Sequence, residues 1–323
     1  MKAIVQDRFG PADGLELRDI ATPEIGATEV LVRVHAAGVD RGVWHVMTGL
    51  PYPIRLAGYG FRAPKQGVPG TDLAGVVVSV GSDVTRFEPG DEVFGTGIGT
   101  YAEFARARED QLAAKPATLS FEQAAALPVS GVTALQALRD RGAVQPGEQV
   151  LVIGASGGVG TFAVQLAKAF GAQVTGVCST TKVDLVRSLG ADHVVDYNRE
   201  DFAATGTRYD LILDIGGNAS LSRLRRALTP KGRLVIVGGE TSGRWLGGTD
   251  RQVRAMILSM FVGQKLGTFI ASVKQEDLLV LAQLAEAGQL TPAVDRTFAL
   301  AEAPKAIGHV EEGHARGKVV VVI

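Results

Sequence analysis

The residues Gly154-Ala155-Ser156-Gly157-Gly158-Val159-Gly160 have the types and spacing to hold a phosphate. They follow the apolar run Val150 to Ile153 and lead into an apolar-periodic stretch, Phe162 to Phe170, so a strand, a tight turn and a helix meet there. A glycine-rich turn lets the main chain approach a pyrophosphate, and a helix starting near Val159 aims its unpaired N–H groups and positive dipole end at the anion. Against the pattern GxGxxG the positions are Ala155, Gly157 and Gly160, with alanine in place of the first glycine. Ser156, Gly157, Gly158 and Val159 are expected to line the pyrophosphate of a dinucleotide. With 41 glycines in 323 residues the pattern alone has chance matches, and its setting between strand and helix gives it weight. A purely structural glycine turn is the alternative.

In NAD-binding turns an Asp or Glu about 20 residues further on holds the ribose hydroxyls. Here the strand Gln173 to Val177 runs into Cys178-Ser179-Thr180-Thr181-Lys182, which offers hydroxyls and an ammonium but no carboxylate. Ser179 and Lys182 suit a ribose 2′-phosphate, so NADP is expected over NAD. Thr181-Lys182-Val183-Asp184 also fits a capping box, which would set Lys182 in the first turn of a helix. The alternative reading is a solvated lysine beside an ordinary cap.

The elements that must position these residues fall into two patterns. From Met1 to about Leu119 short β-type runs alternate with Gly and Pro turns: Lys2 to Val5, Val30 to Ala36, Leu73 to Val80, Asp91 to Phe94 and Tyr101 to Ala105. No long helical period occurs, and a barrel-like mostly-β domain is expected. From the capping box Ser120-Phe121-Glu122-Gln123 onward, strands alternate with helices: Val150 to Ile153, Gln173 to Val177, His193 to Val195, Leu211 to Asp214, Arg233 to Val237 and Lys265 to Phe269. Such alternation gives a parallel, doubly wound sheet whose ligands lie at the carboxyl ends of the strands. Ser272-Val273-Lys274-Gln275 caps a further helix with the apolar stripe Leu278, Leu281, Leu284 and Ala285. After Pro292 a strand (Val294 to Phe298), a short helix and a last strand (Lys318 to Val322) return the chain to its first domain. The expected layout is residues 1–124 and 292–323 in the β domain and 125–291 in an NADP-binding domain.

Composition narrows the partners. Apolar residues make up 46% and charged residues 21%, an ordinary globular balance, and the net charge of −1 provides no broad basic field for nucleic acid and no polybasic tail for a membrane. A small-molecule ligand fits. The single cysteine, Cys178, cannot form an internal disulfide, which suits a reducing compartment and excludes a multi-cysteine metal site. The segment Met1 to Gly10 has no apolar core of a signal peptide, and a cytoplasmic protein is expected.

Five segments together resemble the zinc-free quinone oxidoreductase (zeta-crystallin-like) branch of the medium-chain dehydrogenase/reductase family. They are Gly70-Thr71-Asp72-Leu73-Ala74-Gly75, Pro89-Gly90-Asp91-Glu92-Val93, Ala155 to Gly160, Leu189-Gly190-Ala191-Asp192 with Asp196-Tyr197, and Gly317-Lys318-Val319-Val320. The resemblance runs end to end. It implies a GroES-like domain, a Rossmann domain bound to NADPH, a homodimer, and hydride transfer to quinones or to the β-carbon of α,β-unsaturated carbonyls. Zinc-dependent relatives carry a cysteine where Asp40 falls and a His-Glu pair where Thr71-Asp72 falls, and their structural zinc uses four cysteines absent here, so no metal is expected. His45 has no nearby His or Cys partner in sequence and reads as structural.

Reduction of an enone leaves negative charge on oxygen and requires a proton donor. By resemblance Asp40 lies near the nicotinamide, and Tyr52 sits on the loop over the substrate pocket as a donor or stacking surface. The alternatives are a turn aspartate bonded to local backbone and a packing aromatic. The resemblance carries Thr133 to the cofactor cleft, Tyr197 to the adenosine side, and Gly216-Gly217, Gly238-Gly239 and Phe269 to the strand ends along the dinucleotide. Arg316, just before Gly317-Lys318, is a candidate for closing over the cofactor, with a solvated side chain as the alternative. The insertion Arg55 to Gly67 is longer and more basic than expected, with Tyr59 and Phe61 as a mobile aromatic lid. The competing reading is an NADPH-binding structural or partner-binding protein with little turnover.

Overall fold

In the computed structural model, residues 1–238, 243 and 245–323 are described. They form two compact units, residues 1–132 with 272–323, and residues 133–271. The division falls at 132/133 and 271/272, against 124/125 and 291/292 read from the sequence.

The first unit contains β1 (Lys2–Val5), β2 (Glu16–Asp19), β3 (Glu29–Val39), β4 (Asp72–Val80), β5 (Glu92–Thr96), β6 (Phe104–Arg108), β7 (Leu112–Ala114) and, from the chain's end, β14 (Val294–Ala299) and β15 (Lys318–Val322). Seven of these make one sheet, ordered β14-β15-β3-β4-β5-β7 with β6 also on β3. β3 is its axis because its alternating Val30, Val32 and Val34 face the core, while Ala36-Ala37-Gly38-Val39 is buried on both sides. Leu73, Val93, Leu112, Val319 and Val321 complete that core. The GroES-like expectation holds.

The second unit carries the parallel sheet β10-β9-β8-β11-β12-β13, built from β8 (Gln149–Ile153), β9 (Gln173–Cys178), β10 (His193–Asp196), β11 (Tyr209–Asp214), β12 (Leu228–Ile236) and β13 (Lys265–Thr268). Continuous apolar strands such as Val150-Leu151-Val152-Ile153 suit a sheet covered on both faces. The strand order reverses between β8 and β11, the switch point at which doubly wound sheets take ligands. The Rossmann expectation also holds.

The helices are α1 (Arg41–Thr48), α2 (Phe121–Ala125), α3 (Pro128–Gln136), α4 (Gly158–Ala169), α5 (Val183–Ser188), α6 (Leu221–Ala227), α7 (Thr249–Ser259), α8 (Gln275–Glu286) and α9 (Ala303–Glu311). Among the described residues none is long and apolar enough to cross a membrane. The eight-residue helix α1 was not read from the sequence, though the first half is mostly β as expected. The Ser120/Gln123 capping box forms with both reciprocal bonds, but the helix it opens is only five residues long. At α8 the cap is not formed by the Ser272 box: Lys274 is the N-cap and contributes no side-chain bond. Leu278, Leu281 and Ala285 are buried as expected, with Leu284 half-buried. The strand expected at Tyr101 to Ala105 lies at β6 instead, because Tyr101 bonds across, its N–H to Pro69 O (3.1 Å) and its carbonyl to Ile4 N (2.9 Å).

Candidate functional site

In the second unit the turn after β8 is closed by backbone bonds. Gly154 N–H and Ala155 N–H both donate to Val177 O at 3.1 Å, and Gly157 N–H donates to Gly154 O at 3.1 Å. Gly154 has φ +86°, and a Cβ there would lie 2.9 Å from Gly216 N, so glycine permits the ends of β8 and β11 to meet. A Cβ on Gly160 would lie 2.1 Å from Gly154 O, which fixes how closely α4 approaches the turn. Alanine replaces the motif's first glycine because its methyl faces Gly176, whose own Cβ would be 3.1 Å away. By contrast, a Cβ on Gly157 would meet nothing nearer than 3.6 Å. α4 starts at Gly158, so the amides of Gly158, Val159 and Gly160 have no carbonyl within their helix. This cradle of donors, with Ser156 beside it, fits a dinucleotide pyrophosphate.

At the end of β9 the chain turns through a 3₁₀ segment, Thr180–Lys182, and Lys182 N–H donates to Ser179 O at 2.9 Å. The capping box expected from Thr181 to Asp184 does not form. Lys182 is itself the N-cap of α5 and makes no side-chain cap bond. The neighbouring Thr180 Oγ1 donates instead to Asp196 Oδ2 at 2.6 Å. The end of β9 itself carries no acid, as read from the sequence; the last residue of β10, Asp196, pairs beside Cys178 and brings one near it in space. Its oxygens are engaged by Thr180, by Asn198 N–H (3.0 Å) and by Arg199 (3.4 Å). Tyr197 N–H donates to Cys178 O at 3.1 Å, which brings the exposed Tyr197 next to Ser179.

The other strand ends are tightly built. Gly216 N–H donates to Ile153 O at 3.0 Å, and Gly238 N–H to Asp214 O at 3.1 Å, with room for no side chain since a Cβ on Gly238 would lie 2.1 Å from Ile215 O. Buried Asp214 accepts from Gly217 N–H (3.1 Å) and pairs with Arg251. Gly239 lies outside the described residues. Phe269 is half-buried just past β13, with the Arg141 guanidinium 5.7 Å from its ring, and Thr133 is half-buried on α3.

In the first unit Asp40 precedes α1 as its N-cap, yet its carboxylate caps nothing. It turns to Lys318, the first residue of β15. Lys318 Nζ donates to Asp40 Oδ1 at 2.6 Å and lies 3.4 Å from Asp72 Oδ2 and 3.3 Å from Ser130 Oγ. Ser130 Oγ donates to Asp40 Oδ1 at 2.8 Å, and Asp72 Oδ1 accepts from Val129 N–H at 3.1 Å. Exposure is 8% for Asp40, 0% for Asp72, 2% for Ser130 and 1% for Lys318. Gly38 makes room, since a Cβ there would lie 2.8 Å from Asp72 Oδ2.

Burial raises the Asp72 carboxyl well above the usual range, and the Asp40 charge adds to this. Asp40 is also penalised by burial, but the Lys318 charge and hydrogen bonds more than offset that and hold it below the usual range. For Lys318 the burial penalty is likewise outweighed by Asp40 and Asp72, so it stays cationic. Tyr101, fully buried with its hydroxyl 3.3 Å from Gly38 O, is pushed well up by burial and then by the two carboxyls.

Tyr52 is half-buried, with the Arg55 guanidinium 5.0 Å above its ring and the same guanidinium 4.5 Å above Phe9. His45 Nδ1 is 2.7 Å from Leu50 O, a local bond in keeping with a structural residue. Tyr59, Phe61 and Arg316 are exposed. Among the described residues no group of three or more His, Cys, Asp or Glu could hold a metal ion. Asp40 and Asp72 do not suit zinc either, because a buried lysine ammonium lies 2.6 Å from one carboxyl and 3.4 Å from the other and repels a second cation.

The sequence reading missed Lys318, Asp72 and Ser130 as members of one cluster, and Asp196 as a neighbour of β9. The available signal for Lys318 was a single charge opening an otherwise apolar strand, Lys-Val-Val-Val-Val.

Two family models match the chain. The alcohol dehydrogenase GroES-like domain covers residues 26–117, and the family described as zinc-binding dehydrogenase covers residues 189–321. The chloroplastic quinone-oxidoreductase QR1 of Triphysaria versicolor is 32% identical, over 99% of this chain and 98% of its own. The 2-methylene-furan-3-one reductase of Solanum lycopersicum is 32% identical, over 99% of this chain and 79% of its own. The Escherichia coli quinone oxidoreductase, solved in complex with NADPH, superposes with a TM-score of 0.85 at 26% identity, covering 100% of both chains.

Proposed function

The chain belongs to the quinone oxidoreductase branch of the medium-chain dehydrogenase/reductase family, and from that premise we propose an NADPH-dependent reductase that passes hydride, without zinc, to quinones or to the C=C bond of α,β-unsaturated carbonyls. The observation that carries this reading is the open cradle at Ser156 to Val159 with Ser179, Lys182 and Tyr197 gathered at the end of the adjacent strand. A relative that reduces a furanone and another solved with NADPH support the substrate class and the cofactor.

The bound nicotinamide supplies the hydride. The amides of Gly157, Gly158 and Val159 and the Ser156 hydroxyl hold the pyrophosphate, while Ser179, Lys182 and Tyr197 take the adenosine and its 2′-phosphate. Lys182 is preferred over an acid as the selecting residue because Asp196 has its oxygens committed to Thr180, Asn198 and Arg199. Thr133, Gly216, Gly238 and Phe269 follow the dinucleotide, and Arg316 closes over it. Asp40 faces the nicotinamide as a fixed anionic acceptor, and Tyr52 donates to the substrate oxygen or stacks on its ring. Lys318 beside Asp40 favours a metal-free pocket. A homodimer fits the position of β13 at the sheet's edge among the described residues and the exposed Met260, Phe261 and Ile270 beside it.

Loss of NADPH absorbance on a panel of quinones and short enones tests the proposal. Turnover with at least one acceptor class, faster with NADPH than NADH, is expected. Silence across the panel with NADPH still bound overturns it.

A further inference from the structure

The cluster around Lys318 brings together two carboxyl groups and one ammonium, all buried from solvent. Two ionised carboxylates would leave a net negative charge in a closed, low-dielectric volume, a state proteins avoid by keeping one group protonated. The hydrogen-bond inventory agrees. Asp40 Oδ1 is used by Lys318 and Ser130, whereas Asp40 Oδ2 is buried and has no hydrogen-bond partner. The neighbouring carboxyl is that of Asp72, whose Oδ2 lies 3.4 Å from the same Lys318 Nζ that stands 2.6 Å from Asp40 Oδ1. Asp72 can satisfy that orphaned oxygen only by donating a proton.

We propose that Asp72 is a neutral carboxylic acid at physiological pH, donates its proton to Asp40 Oδ2, and with Lys318 and Ser130 holds Asp40 as a single, fixed anion. Asp72, Lys318 and Ser130 are then positioning residues for Asp40. The cluster as a whole is electrically neutral, which lets it be buried. Three charged or titratable groups face Asp72: Asp40 at the end of β3, Lys318 on β15 and Tyr101 before β6. Val129 N–H at the start of α3 occupies Asp72 Oδ1. Removing the Asp72 proton places a second anion against Asp40 and draws Lys318 between them, so Asp40 loses its fixed position as pH rises. A role for Asp40 at the nicotinamide rests on the function proposed above, but the proton on Asp72 does not.

The test reads the proton directly. The infrared difference spectrum of wild type minus Asp72→Asn near neutral pH is expected to contain a carboxylic-acid C=O band that moves on transfer to deuterium oxide. Wild type minus Asp40→Asn should contain the same band, because Asp72 left alone with Lys318 ionises. Absence of the band from either difference overturns the proposal. If a variant does not fold, ¹³C NMR of aspartate carboxyls in the wild-type protein decides: one carboxyl should titrate well above the ordinary range of about 4, and titration of all of them within it overturns the proposal. For the positioning role, kcat/KM should carry an alkaline limb at the same midpoint, lost in Asp72→Asn. An unchanged limb in that variant overturns it. Absence of turnover with every acceptor would sink the proposed function and leave the spectroscopic result to stand or fall by itself.

Discussion

Lys318 Nζ stands 2.6 Å from Asp40 Oδ1, although 278 positions separate the two residues in sequence. That ion pair joins the strand that ends the chain to the turn between β3 and α1, and it is buried at both ends. Breaking a buried pair costs more than forming it gains, because the remaining charge loses its partner.

Lys318→Met is therefore expected to destabilise the protein by about 3–5 kcal/mol in urea unfolding. The loss should be larger at about pH 8 than at about pH 5. With the cation gone, the buried carboxyls have folded-state values above their unfolded ones, and a carboxyl raised in this way loses stability as pH rises. Equal losses at both pH values would contradict the buried-cluster account.

Two glycines of the turn should respond differently. Gly160→Ala forces a methyl to within 2.1 Å of Gly154 O and is expected to cost the upper end of about 1–3 kcal/mol in stability. Gly157→Ala meets nothing closer than 3.6 Å, so its melting temperature should stay near wild type while NADPH binding weakens. Thermal unfolding and calorimetric titration of both variants separate the two effects.

Much of the second unit was legible in sequence because its information is local. Strand, glycine turn and helix follow one another without interruption from Val150 to Ala169, and apolar runs alternate with helical periods up to β13. What was not legible depends on distant residues. Lys318 opens a valine strand and gives no local sign that Asp40 and Asp72 lie against it. Ser130, inside α3, looks like any small helix residue. α1 was overlooked because it is only eight residues long and carries a glycine, Gly42, in its first turn. The box at Thr181 failed because α5 begins one residue later, with Lys182 rather than Thr181 as its N-cap.

Lys182→Ala should raise the NADPH dissociation constant about 10- to 100-fold, the value of one hydrogen bond to a charged group, and leave NADH binding within about twofold. Fluorescence titration with both cofactors checks this. A parallel loss for NADH would assign the lysine to structure rather than to the 2′-phosphate.

Dialysis against a strong chelator should leave NADPH-dependent turnover unchanged, and elemental analysis of active protein should find zinc far below one equivalent. Loss of activity on chelation, restored by zinc alone, would contradict a metal-free pocket.

The most direct measurement is a single turnover of NADPH carrying deuterium on the transferred position of the nicotinamide, with a short enone or a quinone as acceptor. The account predicts oxidation of one cofactor per acceptor reduced. With the enone, deuterium appears at the β-carbon and the second hydrogen comes from solvent. Cofactor that binds tightly yet is never oxidised, or product without the label, would contradict it.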